Sequence, residues 1–300
     1  MIFGILCGFA TAILNTAGYF CSSGFLVRYK SPGRMLVMAA MVMMIVSLLF
    51  LPWIFPFGCL PSPVNFTLQA FLGSALFLLG QGAFFAGLRV FGASRISSLL
   101  GLKIVVLSFI FIISGGNLNW MQCCAVVMAA GSAVIFNWSG GGKVPLHGWL
   151  LLMVSLVCYS LVDMVETSLV IQVSRASGFS TLRSALATVP FLYTALGILL
   201  LPGLWFFKPD KEQLCRVTPY AILWLSSQVL LFCCFSRLQP VFGNVILATR
   251  GIFSVIAGIL LSRYGFAETE AGLSWKMWLR RIVAALVMLG AIGLYSAASL

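Results

Sequence analysis

A chain of 300 residues that is 61% hydrophobic and only 8% charged lacks the polar surface a water-soluble globule needs, where about a quarter of residues are charged. Its mean hydropathy of +1.10 places it among membrane proteins. The net charge of +12 then reads as Lys and Arg left at helix ends; no loop carries a basic run with interleaved aromatics, so no nucleic-acid partner is expected.

Apolar stretches of about 20 residues, enough to cross a hydrocarbon core, run in chain order over 3–27, 35–57, 67–88, 96–114, 120–138, 148–173, 184–207, 218–236, 243–262 and 277–298. Short connections hold the turn formers: SPG (31–33), LPSP (60–63), SGGG (139–142), RASG (175–178) and KPDKE (208–212). The first stretch has no basic lead-in and nine more follow, so it reads as a span rather than a cleaved signal. Period-2 alternation is not evident, which argues against a barrel. The expected fold is an all-α membrane protein of ten transmembrane helices.

Nine cysteines raise the question of metal or disulfide. The pairs Cys123/Cys124 and Cys233/Cys234 are adjacent, so neither can face one metal from a regular helix, and no C-x-x-C occurs. They read as small apolar packing residues. Cys59 and Cys215 are expected in loops on opposite faces. No metal and no cofactor are expected.

A shift of 147 residues lays ALFLLGQGAFFAGLR (75–89) on ILWLSSQVLLFCCFS (222–236), placing Gln81 on Gln228 and Lys103 on Arg250. Each half thus has a glutamine and, in its next helix, a basic residue. The reading is two five-helix repeats, 1–142 and 147–300. Five is odd, so the second repeat enters the membrane inverted, the arrangement by which two similar halves open alternately around a midplane site.

The loops on one face carry Arg28, Lys30, Arg34, Arg89, Arg95, Lys143, Lys208, Lys211, Arg216, Arg263, Lys276, Arg280 and Arg281, against Arg175, Arg183 and Arg237 on the other. The positive-inside rule then puts both termini outside the cytoplasm. A multi-pass protein of the cell's inner (cytoplasmic) membrane is expected.

The order of a helix ending near Leu-Arg or Ser-Arg, a small turn, an aliphatic helix and a last helix with spaced small residues occurs twice. It runs through FFAGLRVFGASRISSLLGLKIVVLSFIFIISGGNLNWMQCCAVVMAAGSAVIF (84–136). It returns in FCCFSRLQPVFGNVILATRGIFSVIAGILLSRYG (232–265) followed by WLRRIVAALVMLGAIGLY (278–295). This resembles the EamA-type repeat of the drug/metabolite transporter superfamily over essentially the whole chain. LATRGIFSVIAGILL is similar to the corresponding helix of nucleotide-sugar transporters. The resemblance implies a ten-helix permease for a small metabolite. SGGN (114–117) stands where the family usually has Gly-Glu-Arg, and the family's termini are commonly cytoplasmic, against the charge count.

Lys103 and Arg250 each lie about midway along an apolar segment, where a charge costs about 2.5–3.5 kcal/mol on insertion scales. Each should face a water-filled cavity or a partner. The acids within spans are Asp163 and Glu166, three apart on the sixth helix and so on one face. In one account Lys103 and Arg250 hold an anionic group of the substrate, Arg as a bidentate fork and Lys as a point charge. In the other they are locked in pairs with Asp163 and Glu166. An acid removed from water disfavours its charged form, which leaves room for a coupled proton or a counter-substrate. Gln81 and Gln228 can donate and accept toward a solute, and Asn15 and Tyr159 are further candidates. Six tryptophans near span ends, Trp53, Trp120, Trp138, Trp149, Trp205 and Trp278, read as an interfacial belt. Small-residue rows in AAGSA (129–133) and GAIG (290–293) permit close helix contact, within a monomer or between the copies of a homodimer.

An enzyme is not expected: there is no H-E-x-x-H or G-x-S-x-G, and His147 is the single histidine. A channel would show a ring of like charge or a filter loop. The remaining expectation is a carrier of a small organic solute, anionic or amino-acid-like, bound at midplane by Lys103 and Arg250. The alternative is a carrier of a cationic solute or drug that uses Asp163 and Glu166, with the two bases structural.

Overall fold

The structure is a computed structural model that describes residues 1–60, 62–91, 96, 99–137, 145–263 and 275–298. Arg95, Trp138 and Lys143 lie outside the described residues, as do the side chains of Arg263, Lys276, Trp278 and Arg281. Among the described residues the chain is all helical. It runs α1 (Ile2–Tyr29), α2 (Pro32–Ile54), α3 (Pro63–Phe91), a 3-10 turn at Leu100–Leu102, α4 (Lys103–Ile113), α5 (Trp120–Asn137), α6 (Leu146–Ser177) and α7 (Thr181–Leu200). After a single turn at Gly203–Phe206 follow α8 (Lys211–Leu238), α9 (Pro240–Leu247), α10 (Arg250–Arg263) and α11 (Trp275–Ala298).

The helix ends follow local chemistry. Ser31 precedes Pro32, and its Oγ accepts from the Arg34 N–H at 3.3 Å, an N-cap followed by the proline that suits a first turn. Asn119 and Gln122 accept each other's backbone N–H, at 2.8 and 2.9 Å, in the manner of a capping box. Gly178 closes α6 in the left-handed conformation at φ 68°, which costs glycine nothing. α8 begins at Lys211, earlier than the expected 218, so Cys215 lies on a helix and not in a loop.

Helix covers most of each expected apolar segment where it is described, but three segments are not continuous: the seventh breaks at Leu201–Pro202, and the fourth and ninth break as well. The fourth and ninth break immediately before Lys103 and Arg250, so neither base sits in mid-helix as the sequence suggested. At the second break the backbone shortens to three-residue hydrogen bonds: Thr249 N–H to Ile246 O at 3.0 Å, Gly251 to Ala248 at 3.1 Å and Ile252 to Thr249 at 2.8 Å. The Thr249 hydroxyl donates to Ile246 O at 2.7 Å as well, a local bond that competes with the regular helix.

Among the described residues six helices, α1, α2, α3, α6, α7 and α8, are long and apolar enough to cross a membrane, the build of a multi-pass membrane protein. α1 packs along α8, α3 along α6, α2 on α7 and α5 on α11. α5 and α11 pack together, and Ser132 of the AAGSA row donates its hydroxyl to Ala284 O at 2.7 Å. Trp53, Trp120, Trp149 and Trp205 are exposed, whereas Trp224 is buried in the core.

The turn from α8 into α9 is strained. Gln239 has φ 68° and ψ 154°, a region left almost wholly to glycine and costing other residues about 1–3 kcal/mol, and it precedes a proline, which favours negative φ. Glycine already stands at the position 147 residues earlier, Gly92. Gln239→Gly should therefore stabilise the fold by about 1 kcal/mol, read as a higher midpoint in thermal unfolding of the purified protein. A lower midpoint would show that the glutamine is at ease there. The same turn folds α9 back so closely that a methyl group at Gly243 would lie 2.3 Å from Phe235 Cδ1.

Candidate functional site

Both intramembrane bases open a half-helix. Lys103 is the first residue of α4 and Arg250 the first of α10. At both starts the preceding turn takes up the backbone donors, Lys103 N–H to Leu100 O and Gly251 N–H to Ala248 O, so the helix tightens there into three-residue bonds.

The two bases keep different company. Lys103 Nζ lies 2.7 Å from Asp163 Oδ2, and Asn244 Nδ2 donates to that same oxygen at 2.7 Å. Asp163 on α6 thereby ties together the fourth and ninth segments. Arg250 has no acid in ion-pair range among the described residues. Its Nη1 donates to the Tyr19 hydroxyl over 3.4 Å, at the limit of a hydrogen bond, and its Nε is buried with no acceptor. Its carbonyl accepts from the Thr16 hydroxyl at 3.3 Å. Both bases are shut off from the surface, Lys103 at 5% and Arg250 at 4% exposure.

Glu166 lies one turn along α6 from Asp163 and is 3% exposed. No ion pair or hydrogen bond engages its carboxylate among the described residues. It lines a narrow void with Ser74, Phe77, Leu192, Tyr193 and Leu196. Of the two pairings open to the sequence, Lys103 with Asp163 is formed; an Arg250–Glu166 pair is not.

A wall of rings joins the neighbourhood of Arg250 to that of Glu166. Tyr19 packs against Phe84 at 4.9 Å between centroids and Trp224 at 6.2 Å. Phe77 meets Tyr193 at 5.7 Å and Trp224 at 5.9 Å, and the Trp224 indole N–H donates to the Tyr193 hydroxyl at 2.6 Å. Gln81 is gripped within this wall: its Oε1 accepts from the Tyr159 hydroxyl, and its Nε2 donates to the Tyr220 hydroxyl at 2.6 Å. Tyr159 also lies under Lys103, with Nζ 5.9 Å from its ring centre.

Lys103, Arg250, Gln81, Tyr159, Asp163 and Glu166 therefore belong to one buried core. Asn15 accepts from the Ser227 hydroxyl at 2.7 Å and holds α1 to α8. Gln228 is buried but, unlike Gln81, makes no side-chain hydrogen bond among the described residues. Sequence reasoning missed Tyr19, Tyr193, Tyr220, Trp224 and Asn244. Asn244 left a signal, as the one amide in NVILATR; the aromatic residues left none, since an apolar chain with 25 Phe supplies rings everywhere.

No protein-family model matches the chain, and no curated protein does. A solved structure described as "Crystal structure of protein" is similar over 97% of this chain and 95% of its own, with a TM-score of 0.64 and 15% sequence identity. That likeness is one of fold. An apolar helical bundle of this kind is compatible with a membrane protein such as a transporter.

Proposed function

We propose that this chain is a secondary transporter of the EamA type, ten spans in two inverted repeats, that carries a small amino-acid-like or other anionic metabolite through a site between the repeats. The packing supports the repeat reading. An in-plane pseudo-two-fold axis exchanges α1 with α6 and α3 with α8, and so turns the α1–α8 contact into the α6–α3 contact. It maps α2–α7 and α5–α11 onto themselves. The two helix breaks also end in the same register, at 100–102 before Lys103 and at 248–249 before Arg250. Broken helices whose second halves start at the midplane are a recurring way to hold an anionic group inside a membrane.

One observation carries the substrate reading: Arg250 is a buried cation without an acid in ion-pair range among the described residues. An unpaired charge in an apolar core is costly and is retained where a partner arrives. A carboxylate in contact with its fork would provide that partner. Lys103, already neutralised by Asp163, positions the broken helices in this reading and shapes the field around the site. Glu166, acidic and without a base, faces Phe77 and Tyr193, a setting that suits an ammonium group. Arg250 and Glu166 at the two ends of the aromatic wall thus fit a zwitterion. The closed core corresponds to the occluded state of an alternating-access cycle.

A counterflow assay tests this. Proteoliposomes preloaded with individual amino acids, carboxylates or organic amines should exchange a zwitterion or carboxylate saturably, and Arg250→Gln should remove that exchange. Exchange confined to amines, lost in Glu166→Gln and kept in Arg250→Gln, would replace this reading with the cation carrier.

A further inference from the structure

The two helix pairs that cross between the halves are fastened at opposite ends by different chemistry, and we propose that these fastenings are the gates that decide to which side the buried core opens. Where α1 ends and α8 begins, Arg28 Nη2 and Arg216 Nε both donate to Glu212 Oε1, at 2.9 and 3.0 Å. Where α3 begins and α6 ends, Gln172 Nε2 donates to Gln69 Oε1 at 2.9 Å. α1 and α3 run in the same direction with α2 returning between them, so the ionic clamp and the amide clamp sit at opposite ends of the bundle. The proposal rests on the two-repeat carrier reading.

The 147-residue shift makes the comparison direct. It lays Arg216 on Gln69, Glu212 on Asn65 and Arg28 on Arg175. Two of the three clamp positions thus lose their charge at the other mouth, where Arg175 is kept and Gln69 pairs with Gln172, which falls on Phe25. With both fastened, the core is shut from either side, as observed for Lys103 and Arg250. Reaching it requires α1 to part from α8 at one end, or α3 from α6 at the other.

The two clamps answer to different conditions. All three members of the ionic clamp are exposed, so salt screens them, and an exposed pair shifts an equilibrium by a small factor, roughly two- to fivefold. Removing the carboxylate does more than remove attraction. Lys30, Lys208 and Lys211 are exposed at the same end, and Arg28 and Arg216 would be left to repel each other. The amide clamp carries no charge and should ignore salt.

Thiol labelling in nanodiscs, where both mouths meet the buffer, tests this without any transported solute, so a failed flux assay and a failed gate are separate results. Ser22 is buried in α1 inside the ionic clamp, and Ser74 is buried in α3 inside the amide clamp. Each is replaced singly by cysteine in a background where exposed Cys59, Cys123 and Cys215 are serine. Modification by a hydrophilic maleimide is then read at each site by peptide mass spectrometry. Glu212→Gln should speed labelling at position 22 roughly threefold and slow it at position 74. High salt should do the same in the parent, whereas in Glu212→Gln, where only repulsion is left to screen, it should slow labelling at position 22. Gln172→Leu should have the reverse effect to that of Glu212→Gln and, keeping the ionic clamp, should still respond to salt as the parent does. Should Glu212→Gln prove unstable, Arg216→Gln carries the same prediction with a smaller change. Unchanged rates in both clamp variants, or both positions speeding up together as in general loosening, would overturn the proposal.

Discussion

Replacing Asp163 by asparagine should destabilise the protein by about 3–5 kcal/mol, the cost of leaving one member of a buried ion pair without its partner. Lys103 Nζ, 2.7 Å from the carboxylate, would be left without its acid in surroundings that are 5% exposed, and the bond from Asn244 would face an amide instead of an anion. The fourth and ninth segments would then lose their common anchor on α6. The double variant Lys103→Met/Asp163→Leu removes both charges at similar volume and should be neutral or more stable by roughly 1–4 kcal/mol. Thermal unfolding of the purified variants checks the sign of each. The double variant also separates two roles for Lys103. If it folds and still exchanges solute at near parental rate, Lys103 is a structural partner; if it folds and carries nothing, Lys103 or the pair takes part in transport.

Arg250→Gln should behave in the opposite way, losing transport while keeping stability. A charged hydrogen bond contributes about 1.5–3 kcal/mol, and each 1.4 kcal/mol is a factor of ten, so exchange of a carboxylate should fall by roughly 10- to 100-fold. Stability should hold or rise, because Arg250 has no acid to lose and its buried Nε has no acceptor. Arg250→Lys keeps the charge without the planar fork and should fall between. Initial rates in proteoliposomes, set beside unfolding midpoints of the same preparations, give both halves of the prediction. A stable Arg250→Gln variant with undiminished exchange would remove Arg250 from the site.

The different fates of the two bases show what a linear reading cannot reach. Lys103 and Arg250 occupy the same register in two similar segments, and Asp163 and Glu166 are three apart on one helix face, so either acid could serve either base. The rotation of α6 against α4 and α9 brings Asp163 alone to Lys103. Glu166 turns toward α3 and α7, among Ser74, Phe77 and Tyr193. Nothing local encodes that choice.

By itself the sequence determined the class of molecule, the positions of its helices, and the presence of rare polar residues at matching places in two halves. These follow from solvent: a hydrocarbon core demands about 20 apolar residues per crossing and makes every charge conspicuous. Tertiary structure alone decided the rest. It broke the fourth and ninth segments at their bases, where Thr249 hydrogen-bonds back along its own helix in a stretch whose hydropathy reads as unbroken. It also gathered Tyr19, Tyr193, Tyr220 and Trp224 from three helices around Gln81 and the charges. The physical reason is that hydropathy acts residue by residue, whereas a hydrogen bond or ion pair depends on which faces meet, and in a chain apolar on almost every face that is settled only by packing.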